Sequence, residues 1–166
     1  MGTGKTAVGK LLAKKLGKEF IELDDLIEKK AGKSIPEIFR QDGEIAFRQL
    51  EIEVVKEVAG RKNAVIACGG GVVLNTINID RLRRECVTVR LTAAPSEILR
   101  RTAADKDGRP LLAAGDRFTQ IKELLKIRRP FYGRAADITV NTSRLSVEGG
   151  VGMIIGKLRS YENYSS

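Results

Sequence analysis

The chain opens with Gly2-Thr3-Gly4-Lys5-Thr6, and this stretch decides the fold because it runs straight into a helical pattern. It matches the end of the Walker A motif, G-x-x-x-x-G-K-[ST], which binds nucleotide phosphates. Glycines let backbone N–H groups turn inward around an anion, and the N-terminus of the following helix adds positive potential. In such a loop the lysine reaches the β- and γ-phosphates and the threonine hydroxyl binds Mg²⁺. The alternative interpretation is a glycine turn with a lysine in front of a helix.

The beginning of this motif is missing from the sequence. The first glycine would fall five residues before Gly4, and therefore ahead of Met1. The strand that feeds such a loop lies in the middle of the sheet, so without it two strand edges would be left unpaired. We therefore expect the native protein to begin a few residues earlier, with an apolar strand and a glycine preceding Met1.

Helical and strand patterns alternate along the rest of the chain. Predicted helices cover residues 5–16, 24–31, a short segment capped by Ser34, 42–59, 95–104, 116–129 and 147–158, and predicted strands cover 20–23, 64–68, 86–91 and 138–140. Ser34 and Glu37 have the spacing of a capping box. Four glycines oppose the last helix, each by about 1 kcal/mol relative to alanine. The alternation predicts an α/β domain with a mainly parallel sheet.

Composition excludes several classes of function. The 166 residues suffice for one domain. The absence of histidine excludes Ser-His-Asp and Cys-His catalysis, histidine-ligated metals and a histidine base. Cys68 and Cys86 are too few for a disulfide framework, and their apolar surroundings predict buried free thiols in a reducing cytoplasm. The sequence contains neither an apolar run of ~20 residues nor the apolar region of a secretory signal.

The charge of the chain suits an anionic partner. There are 30 basic and 21 acidic residues, which gives a net charge of +9. Nucleic acid, an acidic surface and phosphorylated small molecules all fit such an excess. However, the basic residues are spread along the chain without a basic tail, and aromatic residues make up only 5%. Solvated helix faces explain most of them, so nucleic-acid binding is not predicted as the main role.

Three further segments have the composition of a ligand site. Glu22, Asp24 and Asp25 lie at the end of the first predicted strand, where carboxylates face the ligand crevice of an open α/β sheet. They could bind Mg²⁺ or orient a hydroxyl, although acidic residues also suit a helix N-terminus. The glycines at 69–71 let a ligand lie against bare backbone, or form a plain loop. The segment 107–112, Asp-Gly-Arg-Pro-Leu-Leu, could close over phosphates or simply be solvated.

These segments together resemble the shikimate kinase family over nearly the whole chain, from Gly2 to about Thr142. The resemblance is carried by MGTGKTAVGK at 1–10, LDDLIE at 23–28, SIPEIF at 34–39, DGEIAFRQLE at 42–51, GGG at 69–71 and RPLL at 109–112. We know of no other P-loop family with this set in this order. It implies one domain over residues 1–166, folded as a P-loop three-layer αβα sandwich. The full fold has five parallel strands, the first missing here, with a substrate-binding helical region at about 24–60 and a mobile lid at about 106–116.

The resemblance also implies a role for individual residues. The phosphate loop would consist of Gly2, Thr3, Gly4, Lys5, Thr6 and Ala7, with Arg101 packing on adenine and Arg109 acting from the lid near the transferring phosphate. Shikimate would be bound by Asp24 at its hydroxyls, by Arg48 and Arg128 at its carboxylate, by Gly69, Gly70 and Gly71, and by the apolar walls Phe39 and Phe47. Thr6 and Glu22 would hold Mg²⁺, and Lys5, Asp24 and Arg109 would be catalytic. The alternative for Arg48 and Arg128 is that they are surface arginines paired with acids such as Glu44, Glu51 or Glu123.

Two positions depart from the family pattern. The first acid of its D-x-D motif is Glu22 here, one methylene longer, which affects the link to Mg²⁺. The adenine loop of the family often reads D-T-x-x-x-x-P, whereas residues 141–147 read NTSRLSV, without the aspartate or the proline. Adenine preference therefore stays open, whereas triphosphate binding is expected.

The resemblance predicts a cytoplasmic, monomeric shikimate kinase that uses ATP and Mg²⁺ and binds neither nucleic acid nor membranes. Kinases for gluconate or nucleoside monophosphates share the phosphate loop but lack the GGG and F-R-x-x-E pair. A regulatory P-loop domain, or an arm of a nucleic-acid machine, would be expected to have lost Asp24 or the lid arginine, and this sequence keeps both.

Overall fold

The computed structural model describes residues 2–103 and 116–165, and in these ranges helices alternate with parallel strands. The helices are α1 (Lys5–Leu16), α2 (Leu23–Ala31), α3 (Ile35–Gln41), α4 (Gly43–Val58), α5 (Thr76–Glu85), α6 (Pro95–Thr102), α7 (Arg117–Ala135) and α8 (Val147–Ser165). The strands are β1 (Glu19–Glu22), β2 (Ala64–Ala67), β3 (Val89–Thr92) and β4 (Ile138–Asn141). A 3-10 turn at Val72–Leu74 precedes α5. The predicted α/β class is confirmed.

The four strands form two parallel pairs. β1 pairs with β2, with Glu19 opposite Ala64, and β3 pairs with β4, with Val89 opposite Ile138. In residues 2–103 and 116–165 no backbone ladder joins β2 to β3, so the described strands do not form one continuous sheet. The fifth strand expected ahead of Met1 concerns residues beyond this sequence and stays a prediction.

Two apolar clusters hold the layers together. The first lies among α2, α3, α4 and α5, where Ile27, Ile38 and Val55 are fully buried. The second lies between α1, α8 and the strands, where Val140 and Val151 are buried. Side chains from both β2 and β3 pack against this second cluster, so it connects the two strand pairs.

Several boundaries differ from the predicted ones, because packing overrides local preference. Leu23 was predicted in a strand but begins α2, where it is fully buried. The helix predicted to end at 129 continues through Pro130 to Ala135, which is buried in the first cluster. The glycine-rich α8 forms because Val151 and Ile154 pack into the second cluster. α5 was not predicted at all; its apolar face is short, with few buried residues.

Two expectations from composition concern the cysteines and membranes. Cys68 and Cys86 are free, as predicted, but each residue is only partly buried. Burial of the thiol itself raises the pKa of Cys68 to about 12. Within the described ranges, no helix combines the length and apolar character needed to cross a membrane.

Candidate active site

The phosphate loop lies at the N-terminus of α1 and depends on left-handed glycines. Gly4 caps the helix with φ 87°, and Gly2 has φ 62°. Residues with a side chain rarely adopt this backbone conformation, which glycine reaches without steric cost. A Cβ atom added to Gly2 would also lie 2.9 Å from side-chain methyl groups of both Ile98 and Thr102. The loop therefore packs closely against α6, and Gly2 is required for backbone shape as well as for space.

Thr6 and Glu22, the two predicted Mg²⁺ ligands, are in direct contact. The Thr6 hydroxyl donates a hydrogen bond of 2.8 Å to the Glu22 carboxylate. Burial raises the pKa of Glu22, and the bond from Thr6 partly opposes that shift. Two oxygen donors thus meet where α1 begins and β1 ends, and Mg²⁺ prefers oxygen ligands. The donor set fits the metal, and the longer glutamate still reaches the threonine.

Asp24 lies in the first turn of α2, directly after β1, rather than in the strand itself. Burial raises the pKa of its carboxyl, and the Lys5 ammonium is the strongest influence in the opposite direction. A Cβ added to Gly69 would lie 2.9 Å from the Asp24 carboxylate. The structure therefore brings Asp24 close to the glycine run and within electrostatic reach of Lys5.

Arg48 projects from α4 into a network of carboxylates. Its guanidinium donates to Glu44 at 3.0 Å and to Glu51 at 3.0 Å. Glu51 is only 1% exposed, and burial raises the pKa of its carboxyl while Arg48 opposes the shift. The Arg48 guanidinium also lies 5.1 Å from the ring centre of Phe47, which is itself 4.7 Å from that of Phe39. The predicted arginine and apolar walls are therefore adjacent, but the arginine already has acidic partners.

The glycine run connects this network to α7. The Gly70 carbonyl accepts hydrogen bonds from the Tyr132 hydroxyl at 2.8 Å and from the buried Arg128 guanidinium at 3.3 Å. A Cβ added to Gly71 would lie 2.4 Å from the Arg48 guanidinium, which only a glycine avoids. Arg48 and Arg128 thus contact neighbouring residues of one loop, although they come from helices 80 residues apart.

Arg101 connects α6 to the segment that follows β4. The edge of its guanidinium donates to Glu97 at 2.7 Å, to the Thr142 carbonyl at 2.8 Å and to the Thr142 hydroxyl at 3.1 Å. The Thr142 hydroxyl lies 3.0 Å from the Thr3 carbonyl of the phosphate loop and donates to it. Arg101 therefore lies beside both the phosphate loop and the segment predicted to hold adenine.

The lid cannot be placed in the same way. Arg109 and nearly all of the predicted lid at 106–116 lie outside the described residues. Asp116 is described, and its carboxylate caps α7 by accepting hydrogen bonds from the backbone of Phe118 and Thr119.

Glu51, named from the sequence only as a surface partner of the arginines, pairs with Arg48 one helical turn away and is buried. Two further residues that the sequence did not single out also join the site. Tyr132 contacts the glycine run from 62 positions along the chain, so no local signal points to it. Thr142 directly follows the last strand, the position where ligand-binding residues of α/β sheets concentrate.

Comparisons with known proteins agree with this geometry. The family model described as shikimate kinase matches residues 1–159. A shikimate kinase from Caldanaerobacter subterraneus subsp. tengcongensis is 51% identical over 89% of this chain and 85% of its own length. One from Pelotomaculum thermopropionicum is 46% identical over 99% of this chain and 94% of its own.

Solved structures give the same result. A shikimate kinase from Acinetobacter baumannii, determined in complex with shikimate, superposes with a TM-score of 0.92 and 38% identity, covering 97% of this chain and 89% of that one. The enzyme from Aquifex aeolicus gives a TM-score of 0.82 at 34% identity, over 98% of this chain and 94% of its own. By sequence and by fold, the chain belongs to the shikimate kinase family of ATP-dependent kinases.

Proposed function

We propose that this protein transfers the γ-phosphoryl group of ATP to the 3-hydroxyl of shikimate, giving shikimate 3-phosphate and ADP in aromatic amino-acid biosynthesis. The observation that carries the proposal is the convergence of Asp24, Arg48 and Arg128 on one glycine run, beside a phosphate loop. A phosphoryl donor and a hydroxylated carboxylic acid would then lie on either side of Lys5 and Asp24.

The carboxylate of the substrate would be held by Arg48 and Arg128. A planar guanidinium matches a carboxylate with two parallel hydrogen bonds, which lysine cannot reproduce. Glu44 and Glu51 hold Arg48 in place before the substrate arrives.

Asp24 would orient the attacking hydroxyl and accept its proton. Its raised pKa brings the carboxyl closer to neutral pH, where a general base is more effective. Lys5 would neutralise charge on the transferring group, together with Arg109 from the lid. In such a reaction catalysis consists mainly of positioning and charge stabilisation.

Thr6 and Glu22 would hold Mg²⁺, directly or through water. Their contact at 2.8 Å places a hydroxyl and a carboxylate oxygen together beside the phosphate loop. The bound ion would supply positive charge to the phosphates. Glu22→Gln should therefore raise the Mg²⁺ concentration needed for half-maximal rate, while the KM for shikimate stays unchanged.

The remaining proposals concern organisation. We place the whole chain in one kinase domain, with a substrate-binding helical region at about 24–60 and a lid at about 106–116. The protein would act as a monomer in the cytoplasm, on a small molecule rather than on nucleic acid or at a membrane.

A direct test is ADP release in a coupled assay, with shikimate, gluconate and nucleoside monophosphates offered separately. We expect turnover with shikimate as the acceptor, and none with gluconate or with nucleoside monophosphates. Faster turnover with gluconate or a nucleotide would replace the proposed substrate, and ADP release without any acceptor, unchanged by all of them, would refute a small-molecule kinase.

A further inference from the structure

A hydrogen-bonded group links three segments that lie far apart in sequence. The Thr142 hydroxyl accepts from Arg101 at 3.1 Å, and two carbonyl oxygens, of Thr3 at 3.0 Å and of Thr92 at 3.1 Å, lie within reach of its one proton. The Thr92 carbonyl already accepts from the Thr142 N–H, so we assign the hydroxyl proton to the Thr3 carbonyl. Arg101 is anchored in turn by Glu97, one helical turn earlier in α6. We call Arg101, Thr142 and the Thr3 carbonyl the brace. It joins the phosphate loop to α6 and to the end of β4.

The two threonines of the brace are buried, and Arg101 is partly buried. Thr142 is 4% exposed and Thr3 is 7% exposed. The Thr142 backbone is also fully used, since its N–H donates to the Thr92 carbonyl at 2.8 Å and its carbonyl accepts from Arg101 at 2.8 Å. A buried acceptor that loses its donor costs more than the bond itself contributes, because the carbonyl is left without water. Loss of the Thr142 hydroxyl therefore leaves the Thr3 carbonyl without this donor.

The Thr3 carbonyl matters because it belongs to the same peptide plane as the N–H of Gly4. In a trans peptide the two groups point in opposite directions, and the described residues contain no cis bond. A carbonyl fixed toward Thr142 therefore fixes the Gly4 N–H toward the other side of the plane. Gly4 itself has φ 87°, so neighbouring conformations are accessible to it unless something holds the peptide.

We infer that Thr142 and Arg101 are positioning residues that orient the Thr3–Gly4 peptide so that its N–H faces the nucleotide phosphates. The inference rests on the proposed function, since it assigns the loop to ATP. It gives Arg101 a second role beside the proposed contact with adenine. It also gives Thr142 a role that does not depend on the aspartate and proline that the family pattern has, and this chain lacks, at positions 141 and 147. The brace should therefore affect nucleotide binding and not the binding of shikimate.

The test is Thr142→Val, which keeps the shape of the side chain and removes the hydroxyl. We expect the KM for ATP and the dissociation constant for ADP, measured by calorimetry, to rise about 3- to 10-fold, the scale of one net hydrogen bond. The KM for shikimate should change less than twofold. Thr142→Ser, which restores a hydroxyl, should return the affinity for ADP to near the wild-type value.

Thr88→Val is the matched control. The Thr88 hydroxyl also lies within hydrogen-bond distance of a backbone carbonyl, that of Ala135, and of the Asp137 carboxylate. Thr88 directly precedes β3, however, whereas Thr142 follows the end of the paired strand β4. This variant should lose thermal stability and keep its affinity for ADP. If both variants lose ADP affinity equally, or if Thr142→Val binds ADP normally, the inference is wrong.

Two further outcomes are covered by the design. If Thr142→Val does not fold, Thr142→Ala takes its place under the same criterion, since it removes the hydroxyl with less bulk to accommodate. If the wild type binds ADP but does not phosphorylate shikimate, the proposed substrate fails, whereas the comparison of ADP affinities still decides the role of the brace.

Discussion

The proposed nucleotide side and the proposed substrate side of this site are built in different ways. The nucleotide side rests on one contiguous segment, Gly2 to Ala7, whose backbone conformation is set by glycines and by the brace. The substrate side takes side chains from α2, α4 and α7 and joins them at the glycine run 69–71. The first is thus a local motif with a distant support, and the second exists only in the folded chain.

The carboxyl groups around the site also differ in the direction in which their pKa values are shifted. On the substrate side, burial raises the pKa values of Asp24 and Glu51. Near the nucleotide side, hydrogen bonds from Arg100 and Arg101 lower the pKa of Glu97 to about 2. Buried charges without full compensation reduce stability but are available to a ligand. Burial also raises the pKa of Glu22 beside the phosphate loop, so Asp24, Glu51 and Glu22 are the carboxyls at which stability and function oppose each other.

The largest expected effect comes from Asp24→Asn, which keeps the shape of the side chain and removes its charge. Loss of an orienting and proton-accepting group should lower kcat by ~10²-fold or more. The affinity for ATP should stay near the wild-type value, because the change lies on the substrate side. Steady-state kinetics with shikimate and calorimetry with ADP measure the two quantities.

Asp25→Asn is the control for this variant, since Asp25 is the exposed neighbour of Asp24 on the same helical turn. It should turn over shikimate at nearly the wild-type rate. Near-normal turnover by Asp24→Asn, or an equal loss in both variants, would show that Asp24 neither orients the hydroxyl nor accepts its proton.

The next effect tests the proposed selection of a carboxylate. Arg48→Lys should raise the KM for shikimate about 10- to 150-fold, the scale of a lost charge-assisted contact, and leave the KM for ATP nearly unchanged. Arg40→Lys, on the exposed surface of α3, is the matched control and should change neither constant.

A shikimate analogue without its carboxylate sharpens this test. It should bind the wild type weakly and lose little more affinity on Arg48→Lys. A parallel rise in the KM for ATP would mean that Arg48 contributes to nucleotide binding or to the fold. The proposed division of the site into a nucleotide side and a substrate side would then be wrong.

The same contrast explains what could be predicted from the sequence. The phosphate loop was predictable because its glycines, lysine and threonine are adjacent and their chemistry is local. Asp24 was indicated by its place at the end of a predicted strand, whereas Arg48 and Arg128 were identified only through the family resemblance, since nothing in their spacing shows that they meet. Glu44 and Glu51 lie one helical turn from Arg48, so their pairing with it is a local contact that the spacing could suggest, whereas Thr142 as a support of the loop depends on tertiary contacts that the sequence does not display. The path of α7 through Pro130 was missed because packing, not local preference, extends that helix.

Tyr132→Phe tests whether the glycine run itself is positioned. The variant keeps the ring, which lies 5.5 Å from the Arg90 guanidinium, and removes only the hydroxyl bonded to the Gly70 carbonyl. One net hydrogen bond corresponds to about 3- to 10-fold, which we expect as a rise in the KM for shikimate. The KM for ATP should not move, whereas Thr142→Val should show the reverse pattern. Equal KM values for shikimate in Tyr132→Phe and wild type would show that the glycine run is positioned by Arg128 without help from the Tyr132 hydroxyl.

The smallest effect concerns stability and its dependence on pH. The folded chain holds the Asp24 proton more tightly than an unfolded chain does, because burial raises the pKa of this carboxyl. The unfolded state therefore releases this proton first as the pH rises, and stability falls between the ordinary pKa of 3.8 and the raised folded value. Asparagine has no such proton.

Asp24→Asn should consequently unfold at the same temperature as the wild type near pH 3, and a few degrees above it at pH 7. Carboxyls with lowered pKa values, such as Glu37 and Glu97, give the opposite slope in acid, but they do so equally in both proteins and cancel in the difference. Thermal unfolding of the ligand-free proteins between pH 3 and pH 7 measures this difference. A difference that is constant with pH would show that Asp24 is ionised without penalty, and the opposition between stability and function on the substrate side would have to rest on Glu51.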